Sequence, residues 1–256
     1  MDERRDEPEQ WGSGWGGFTM PDPVQEQPTK TTSSGFLLDS LRTRPAGRRI
    51  LSGLIALLFL SGAGMFTYPF FTDVYTSQVI QQRLEDDYVN VKVKTFDEWQ
   101  ATVQDGRALT KIVMPALGVE TLVVEGISPT ALRAGAGHYP KTPLPGQDGN
   151  VAIAGHRTTY GKPFNAVDKL KEGDKILLLT PVGEFTYAVS PPPPGWNANP
   201  YITGPSDWSV IEPTAEPTLT LTTCHPKGSA AKRLVVRATL VSSDPPGTYA
   251  ASKQKA

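Results

Sequence analysis

Residues 50–71 contain no charged side chain, and this apolar run constrains the chain more than any other feature. A helix of that length crosses about 30 Å of hydrocarbon. Asp73 follows the run, and four arginines precede it: Arg42, Arg44, Arg48 and Arg49. Aromatic residues are concentrated at its far end: Phe66, Tyr68, Phe70, Phe71 and Tyr75. Because positive charge marks the cytoplasmic side of a span, we predict a single-pass membrane helix with a cytoplasmic amino terminus. Everything from about residue 75 onward is then extracytoplasmic.

A cleaved signal peptide is the competing interpretation of this run, because Ser61-Gly62-Ala63-Gly64 supplies the small residues of a cleavage site. The long segment that precedes the run and the length of the run itself favour an uncleaved anchor.

Composition excludes some classes of function. The 256 residues carry a net charge of −1, which does not indicate a nucleic-acid partner. The single cysteine excludes an internal disulfide, so its thiol is free to react. The length allows one domain of good size with appendages.

The chain divides by composition into five stretches. Residues 1–49 are polar without an apolar period and predict a disordered cytoplasmic tail before the anchor at 50–71. Residues 72–106 show a loose helical period and predict a helical stalk. Residues 107–243 are rich in strand signals and predict the catalytic domain, and residues 244–256 predict a flexible tail.

The strand signals are short, β-branched runs bounded by Gly or Pro. They lie at 109–114, 119–124, 150–154, 175–179, 184–189, 218–223 and 234–241. Two short helices are expected at 128–133 and 164–170, whereas the proline-rich segment 191–217 is expected to stay out of the sheet and to line a substrate groove. The pattern predicts a mainly β fold, a small barrel or sandwich.

Cys224 is the candidate nucleophile. A thiol needs a neighbouring cation to favour the thiolate, and acyl transfer needs a partner for the oxyanion and an acid for the leaving amine. His156 and Arg233 stand at the end of one predicted strand and the start of another, where they can supply these groups. If the 150–154 and 218–223 strands are parallel neighbours, imidazole and thiol emerge at the same sheet edge.

Three ordered motifs resemble the sortases, membrane-anchored cysteine transpeptidases of Gram-positive bacteria. Thr220-Leu221-Thr222-Thr223-Cys224 looks like their TLxTC signature, Gly155-His156 like their histidine motif, and Arg233-Leu234-Val235-Val236 like their final-strand arginine. Gly137-His138-Tyr139-Pro140, the run from Ala154 to Gly161 and Thr223-Cys224-His225-Pro226 resemble the class E type of actinobacteria.

The resemblance implies an eight-stranded barrel and a two-step reaction without a cofactor. Cys224 attacks the Thr–Gly bond of a sorting signal, Leu-Ala-x-Thr-Gly or Leu-Pro-x-Thr-Gly, to form a thioacyl enzyme. His156 is the acid and base, and Arg233 holds the substrate or the oxyanion. Thr223, His138 and Tyr160 are implied as substrate-binding or supporting residues. The implied partners are secreted proteins with a carboxyl-terminal sorting signal and an amine of a peptidoglycan precursor.

Each assignment has a plainer alternative. A lone strand cysteine is commonly a buried hydrophobe, His225 stands beside the nucleophile, and Arg237 shares a face with Arg233. Metal binding is not expected, because paired CxxC or HxxxH spacing is missing.

Two other functions remain open at this point. One is a cysteine hydrolase or peptidase, although papain-like enzymes place Cys before His. The other is a non-catalytic anchored β-domain that binds cell wall or protein.

Overall fold

The computed structural model describes residues 45–254, so most of the predicted tail at 1–49 lies outside the described residues. The chain divides into two units between Ala56 and Leu57. Residues 45–56 of the first unit are helical. All contacts given below lie within the second unit.

Five α-helices occur among the described residues: α1 (Pro45–Tyr75), α2 (Gln81–Val89), α3 (Phe96–Thr102), α4 (Pro129–Ala134) and α5 (Thr248–Lys253). A π-helical turn, Thr76–Ile80, joins α1 to α2 without a break. Short 3₁₀ turns cover Pro115–Leu117, Val167–Lys169 and Trp208–Ile211. Ser128 caps α4 by accepting a hydrogen bond from the Ala131 N–H, and proline follows at the first position, as the sequence predicted.

Within residues 45–254, one helical stretch, Pro45–Val89, is long and apolar enough to span a membrane. Leu58, Phe59 and Leu60 in its apolar part are 71–75% exposed, so the protein does not cover them. Large exposed apolar side chains of this kind are stable in lipid rather than in water. The helix is therefore consistent with a single-pass anchor.

Nine strands form one sheet: β1 (Ala108–Met114), β2 (Val119–Glu125), β3 (Ala136–His138), β4 (Asn150–Ala154), β5 (Lys175–Leu179), β6 (Glu184–Val189), β7 (Tyr201–Thr203), β8 (Thr218–His225) and β9 (Lys232–Asp244). Eight of them follow the order β6-β5-β1-β2-β3-β4-β8-β9, and β9 returns to pair with β6. The predicted mainly β fold, an eight-stranded barrel with short helices, is confirmed. β7 lies outside the ring and pairs with the first part of β9.

Apolar side chains fill the barrel. Ile112, Ile153, Leu178, Leu219 and Leu221 are at most 1% exposed and pack in one cluster. Leu219 and Leu221 point inward from β8, so the alternating threonines of that strand face outward, as alternation predicted. These threonines are nevertheless buried, and β8 becomes partly exposed only at Cys224 and His225.

The helices that follow the apolar span pack on the outside of the barrel. Leu84 of α2 contacts Leu122, Val124 and Ala131, and Trp99 of α3 packs against Leu109 and Leu144. Both helices belong to the stretch 72–106, which the sequence predicted as a helical stalk. At the other end, the Glu184 carboxylate accepts hydrogen bonds from the N–H groups of Gly247 and Tyr249, which hold α5. The five-part division of the chain stays a prediction.

Two predicted segments differ from the structure, and two strands were not predicted. The 164–170 segment forms only the 3₁₀ turn Val167–Lys169, because the Phe164 ring is buried against Gly155 and tertiary contact fixes the backbone there. β3 and β7 were not predicted, since three residues are too few to show a period. β7 also places part of the proline-rich segment in the sheet, where extended residues pair with the edge that β9 offers.

Candidate active site

Strands β4 and β8 bring His156 and Cys224 to the same end of the barrel. The two strands are parallel, with Ala154 opposite Thr222, so His156 and Cys224 each stand two residues beyond that pair. The Gly155 N–H donates to the Thr222 carbonyl at 3.0 Å, and the Thr223 hydroxyl donates to the Gly155 carbonyl at 2.7 Å. These two bonds extend the strand pairing to the residue before the imidazole.

Arg233 is the direct partner of Cys224 across the β8–β9 hairpin. Its guanidinium Nη1 lies 3.9 Å from the Cys224 Sγ and also donates to the carbonyls of Ala230 and Lys232. A guanidinium keeps its charge at any physiological pH. Arg233 therefore places a permanent positive charge beside the thiol.

A groove of about 230 Å³ opens over these residues. His156, Cys224, Arg233 and Thr223 line one part of it. The rest of its lining comes from Ile127, Leu132, Tyr139, Ala154, Gly155 and Thr222 and, on the 191–217 segment, from Pro205, Asp207, Trp208, Val210 and Ile211. The segment predicted to line a groove does so.

The His156 imidazole is half-buried, which favours its neutral form. Burial lowers the pKa of His156 below its ordinary value, and the positive charge of Arg133 lowers this pKa further. The Tyr160 ring packs beside the imidazole, with centroids 5.0 Å apart. A neutral imidazole can accept a proton from an acid in the groove.

Arg157, the residue after His156, reaches the back of the nucleophile strand. Its Nη1 donates to the Cys224 carbonyl at 3.3 Å and to the His225 Nδ1 at 2.9 Å. Its Nη2 pairs with Asp168 at 3.1 Å. Because arginine only donates, the Nδ1 of His225 must be unprotonated in this contact.

The groove side formed by the turn Trp208–Ile211 is tied to the barrel through one carbonyl. The Asn150 side-chain amide and the Arg237 guanidinium both donate to the Val210 carbonyl, at 3.2 and 2.7 Å. Arg237 also lies 5.3 Å from the Trp196 ring centroid. Arg237 thus supports the groove from behind, whereas Arg233 lines it.

His138 lies in the interior behind the groove and does not line it. It is 1% exposed, and its Nδ1 lies 2.7 Å from Glu125 Oε2. Its Nε2 lies 3.0 Å from both the Pro143 carbonyl and the Thr142 hydroxyl. The next residue, Tyr139, lines the groove, so His138 is placed to support that loop.

Tyr160 contacts the histidine rather than the groove. Its ring packs beside the His156 ring, and the Arg133 guanidinium lies 5.9 Å from the Tyr160 ring centroid. Cys224, Arg233, Thr223 and His156 thus line the groove together, whereas Tyr160 lies beside the imidazole and His138 lies in the interior behind the groove.

Sequence reasoning assigned no function to Arg157 or Asp73. Arg157 lies in the histidine motif named in the sequence. Its charge, between two elements predicted to be buried, was the signal that could have indicated a function. Asp73 was used only as a charge beyond the span, although it contacts the loop after His156. Among residues 45–254, no group of three or more His, Cys, Asp or Glu is arranged to hold a metal ion.

Known proteins match this chain over the barrel and beyond it. A family model for the sortase domain matches residues 112–241. Sortase SrtE1 of Streptomyces coelicolor is 30% identical over 215 residues, which cover 77% of this chain and 56% of SrtE1. Sortase D of Bacillus subtilis is 32% identical over 137 residues, 52% of this chain and 64% of that protein. The chain thus spans less than two thirds of either relative.

A solved structure agrees with these matches. The SrtF sortase from Corynebacterium diphtheriae superposes with a TM-score of 0.54 at 30% identity, covering 62% of this chain and 95% of that one. The class E type that the motifs indicated is confirmed. By its domain match and its relatives, the chain belongs to the sortase family.

Proposed function

We propose that the chain is a membrane-anchored cysteine transpeptidase. It cleaves a sorting signal between Thr and Gly and transfers the protein to a cell-wall amine. The observation that carries the proposal is the 3.9 Å approach of the Arg233 guanidinium to the Cys224 Sγ, in a groove that His156 also lines. A nucleophile, a fixed cation and a neutral base in one groove are the groups that acyl transfer requires.

The first step forms a thioester. The Cys224 thiol gives its proton to His156, and the sulfur attacks the threonine carbonyl carbon of the signal. The C–N bond to glycine then breaks, and the leaving amine takes the proton from the His156 imidazolium. Arg233 stabilises the negative charge, first on sulfur and then on the carbonyl oxygen, together with backbone donors near Thr223.

The second step reverses these transfers with a new amine. The acceptor amine attacks the thioester carbonyl, His156 takes its proton, and the C–S bond breaks to release the Cys224 thiolate. Water in place of the amine gives hydrolysis, which is a side reaction in this proposal. Thr223 positions Cys224 and His156 relative to each other through its bond to the Gly155 carbonyl. Tyr160 supports the imidazole from beside it, and His138 supports the site from the interior.

For the signal we propose Leu-Ala-x-Thr-Gly in preference to Leu-Pro-x-Thr-Gly, following the class E resemblance. The test is transpeptidation by the full chain in detergent micelles, with each peptide, an amine acceptor and a Cys224→Ala control. Joined product and a mass adduct on Cys224, both missing in the control, are expected. Cleavage without joining would indicate a hydrolase. An unreactive thiol with no cleavage would instead support the non-catalytic binding domain.

We further propose that the barrel lies outside the cell and the amino terminus inside. The charge-free run follows Arg48 and Arg49, which supports this orientation. Because Cys224 is the only cysteine, a small membrane-impermeant thiol reagent reports its side of the membrane directly. Labelling in intact cells is expected, and labelling only after lysis would reverse the orientation.

A further inference from the structure

The loop that follows the candidate catalytic histidine is bound to the helix that emerges from the apolar span. We define the histidine loop as residues 155–163. Asp73, near the end of α1, accepts a hydrogen bond from the Gly161 N–H at Oδ1, at 3.2 Å. Its Oδ2 lies 2.7 Å from the Lys162 ammonium, and only 15% of the Asp73 side chain is exposed. Both carboxylate oxygens thus hold consecutive residues of the histidine loop.

A second contact lies one to two turns earlier on the same helix. The Tyr68 hydroxyl is 3.3 Å from the Tyr160 hydroxyl. The Tyr160 ring in turn packs on the His156 ring. A short chain of contacts therefore runs from α1 to the imidazole through a single intervening side chain.

The backbone of the histidine loop needs such support. Tyr160, Gly161 and Lys162 have φ values of 53°, 74° and 40°, so three consecutive residues are left-handed, and two of them carry a Cβ. Side chains rarely adopt this conformation, and it persists where surrounding contacts impose it. The Asp73 carboxylate binds at the centre of the strained segment.

The geometry points to Asp73 and Tyr68 as positioning residues for His156, acting through the histidine loop. This inference rests on the proposed transpeptidase function, since it concerns the same imidazole. In this inference α1 both anchors the protein and helps to shape the active site. The burial and the Arg133 charge that lower the pKa of His156 both depend on where the histidine loop holds the ring.

The test compares Asp73→Asn with Asp87→Asn in the full chain, in micelles or nanodiscs. Asp87 is an exposed carboxylate on α2, so it controls for loss of one negative charge. Asp73→Asn is expected to lower kcat on the order of tenfold while KM for the peptide stays within about twofold, because a displaced base affects the chemical step most. Tyr68→Phe, which removes only a hydroxyl, is expected to lower kcat in the same direction by less.

A second readout does not require activity. The chain has three histidines, so selective ¹³C labelling gives three histidine signals, and the signal of His156 is followed through a pH titration. Asp73→Asn is expected to raise the titration midpoint of His156 towards its ordinary value and to leave the positions of the other two histidine signals at a fixed pH unchanged. Equal kcat and an unmoved His156 midpoint in Asp73→Asn and Asp87→Asn would overturn the inference, as would displacement of all three signals with loss of folded protein. If the wild-type chain transfers no peptide, the proposed function fails, and the His156 midpoint still decides whether Asp73 positions the ring.

Discussion

Arg157 donates a hydrogen bond to the Nδ1 of His225 at 2.9 Å, and this contact distinguishes the two histidines nearest the nucleophile. The Nδ1 of His225 is occupied as the acceptor of this bond. Within residues 45–254, no hydrogen bond to the ring nitrogens of His156 is found, and the ring lines the groove. We therefore propose His156, and not His225, as the acid and base.

Exchange of the two histidines for glutamine tests this assignment. His156→Gln is expected to lower kcat/KM by about 10²–10⁴-fold, the range for loss of a general acid and base. His225→Gln keeps an acceptor for Arg157 and is expected to stay within about fivefold of wild type. Steady-state transfer of a sorting peptide measures both, and equal losses in the two variants would contradict the assignment.

Substitution of the two outward-facing arginines of β9 is expected to affect different properties, the transfer rate for Arg233 and the stability for Arg237. Arg233→Met is expected to lower the transfer rate by about 10²–10³-fold with an unchanged melting temperature, because the Arg233 guanidinium bonds to exposed carbonyls and lies beside the Cys224 sulfur. Arg237→Met is expected to lower the free energy of unfolding by about 2 kcal/mol, since it removes a buried charged donor from the Val210 carbonyl.

Thermal melts beside rate measurements separate the two arginines. A rate loss without destabilisation in Arg237→Met would show that sequence reasoning was right to regard Arg237 as a rival of Arg233.

The pH dependence follows from the lowered pKa of His156. In the unfolded chain the ring takes up a proton as the pH falls through about 6.5, whereas the folded protein does so only at lower pH. The unfolded state therefore binds more protons in that window, and folding stability falls as the pH falls below about 6.5. Urea unfolding at several pH values is expected to show a steeper acid loss in wild type than in His156→Gln.

Arg133→Gln provides a separate check on the same pKa. Removing this cation is expected to raise the titration midpoint of His156, read from its NMR signal, without restoring the ordinary value, because burial is the larger cause. A lower midpoint in this variant would contradict the electrostatic explanation.

The Glu125–His138 pair is expected to contribute to folding rather than to chemistry. Both side chains are buried, at 7% and 1% exposed, and removing one partner leaves the other without its bond. Glu125→Gln and His138→Gln are each expected to lower the free energy of unfolding by about 3 kcal/mol, and the double variant by less than the sum. Transfer per folded molecule is expected to change little, so a large loss of kcat at full folding would indicate direct substrate contact.

Much of the barrel could be predicted because its strands are long enough to alternate. β5 and β6 have the predicted bounds, and β8 and β9 extend beyond them. β3 and β7 were missed because each has only three residues, too few to show an alternating pattern.

The site was predictable where strand ends determine it and not where loops do. Parallel pairing of β4 and β8 was enough to bring His156 beside Cys224, and the hairpin brought Arg233. The contacts of Arg157 with His225 and of Asp73 with Lys162 join segments more than sixty residues apart, and no local sequence pattern indicates such a contact.

The Val210 carbonyl, held by both Asn150 and Arg237, has a consequence for how this groove selects its ligands. The turn Trp208–Ile211 loses its conformational entropy once, during folding, and not again each time a peptide binds. Binding then costs only the conformational entropy of the peptide itself. Differences in affinity between peptides therefore reflect how well each peptide fits the groove, and not ordering of the turn. Trp208 is 61% exposed on this fixed turn. Its substitution during evolution can therefore change which peptide the groove prefers with little loss of barrel stability.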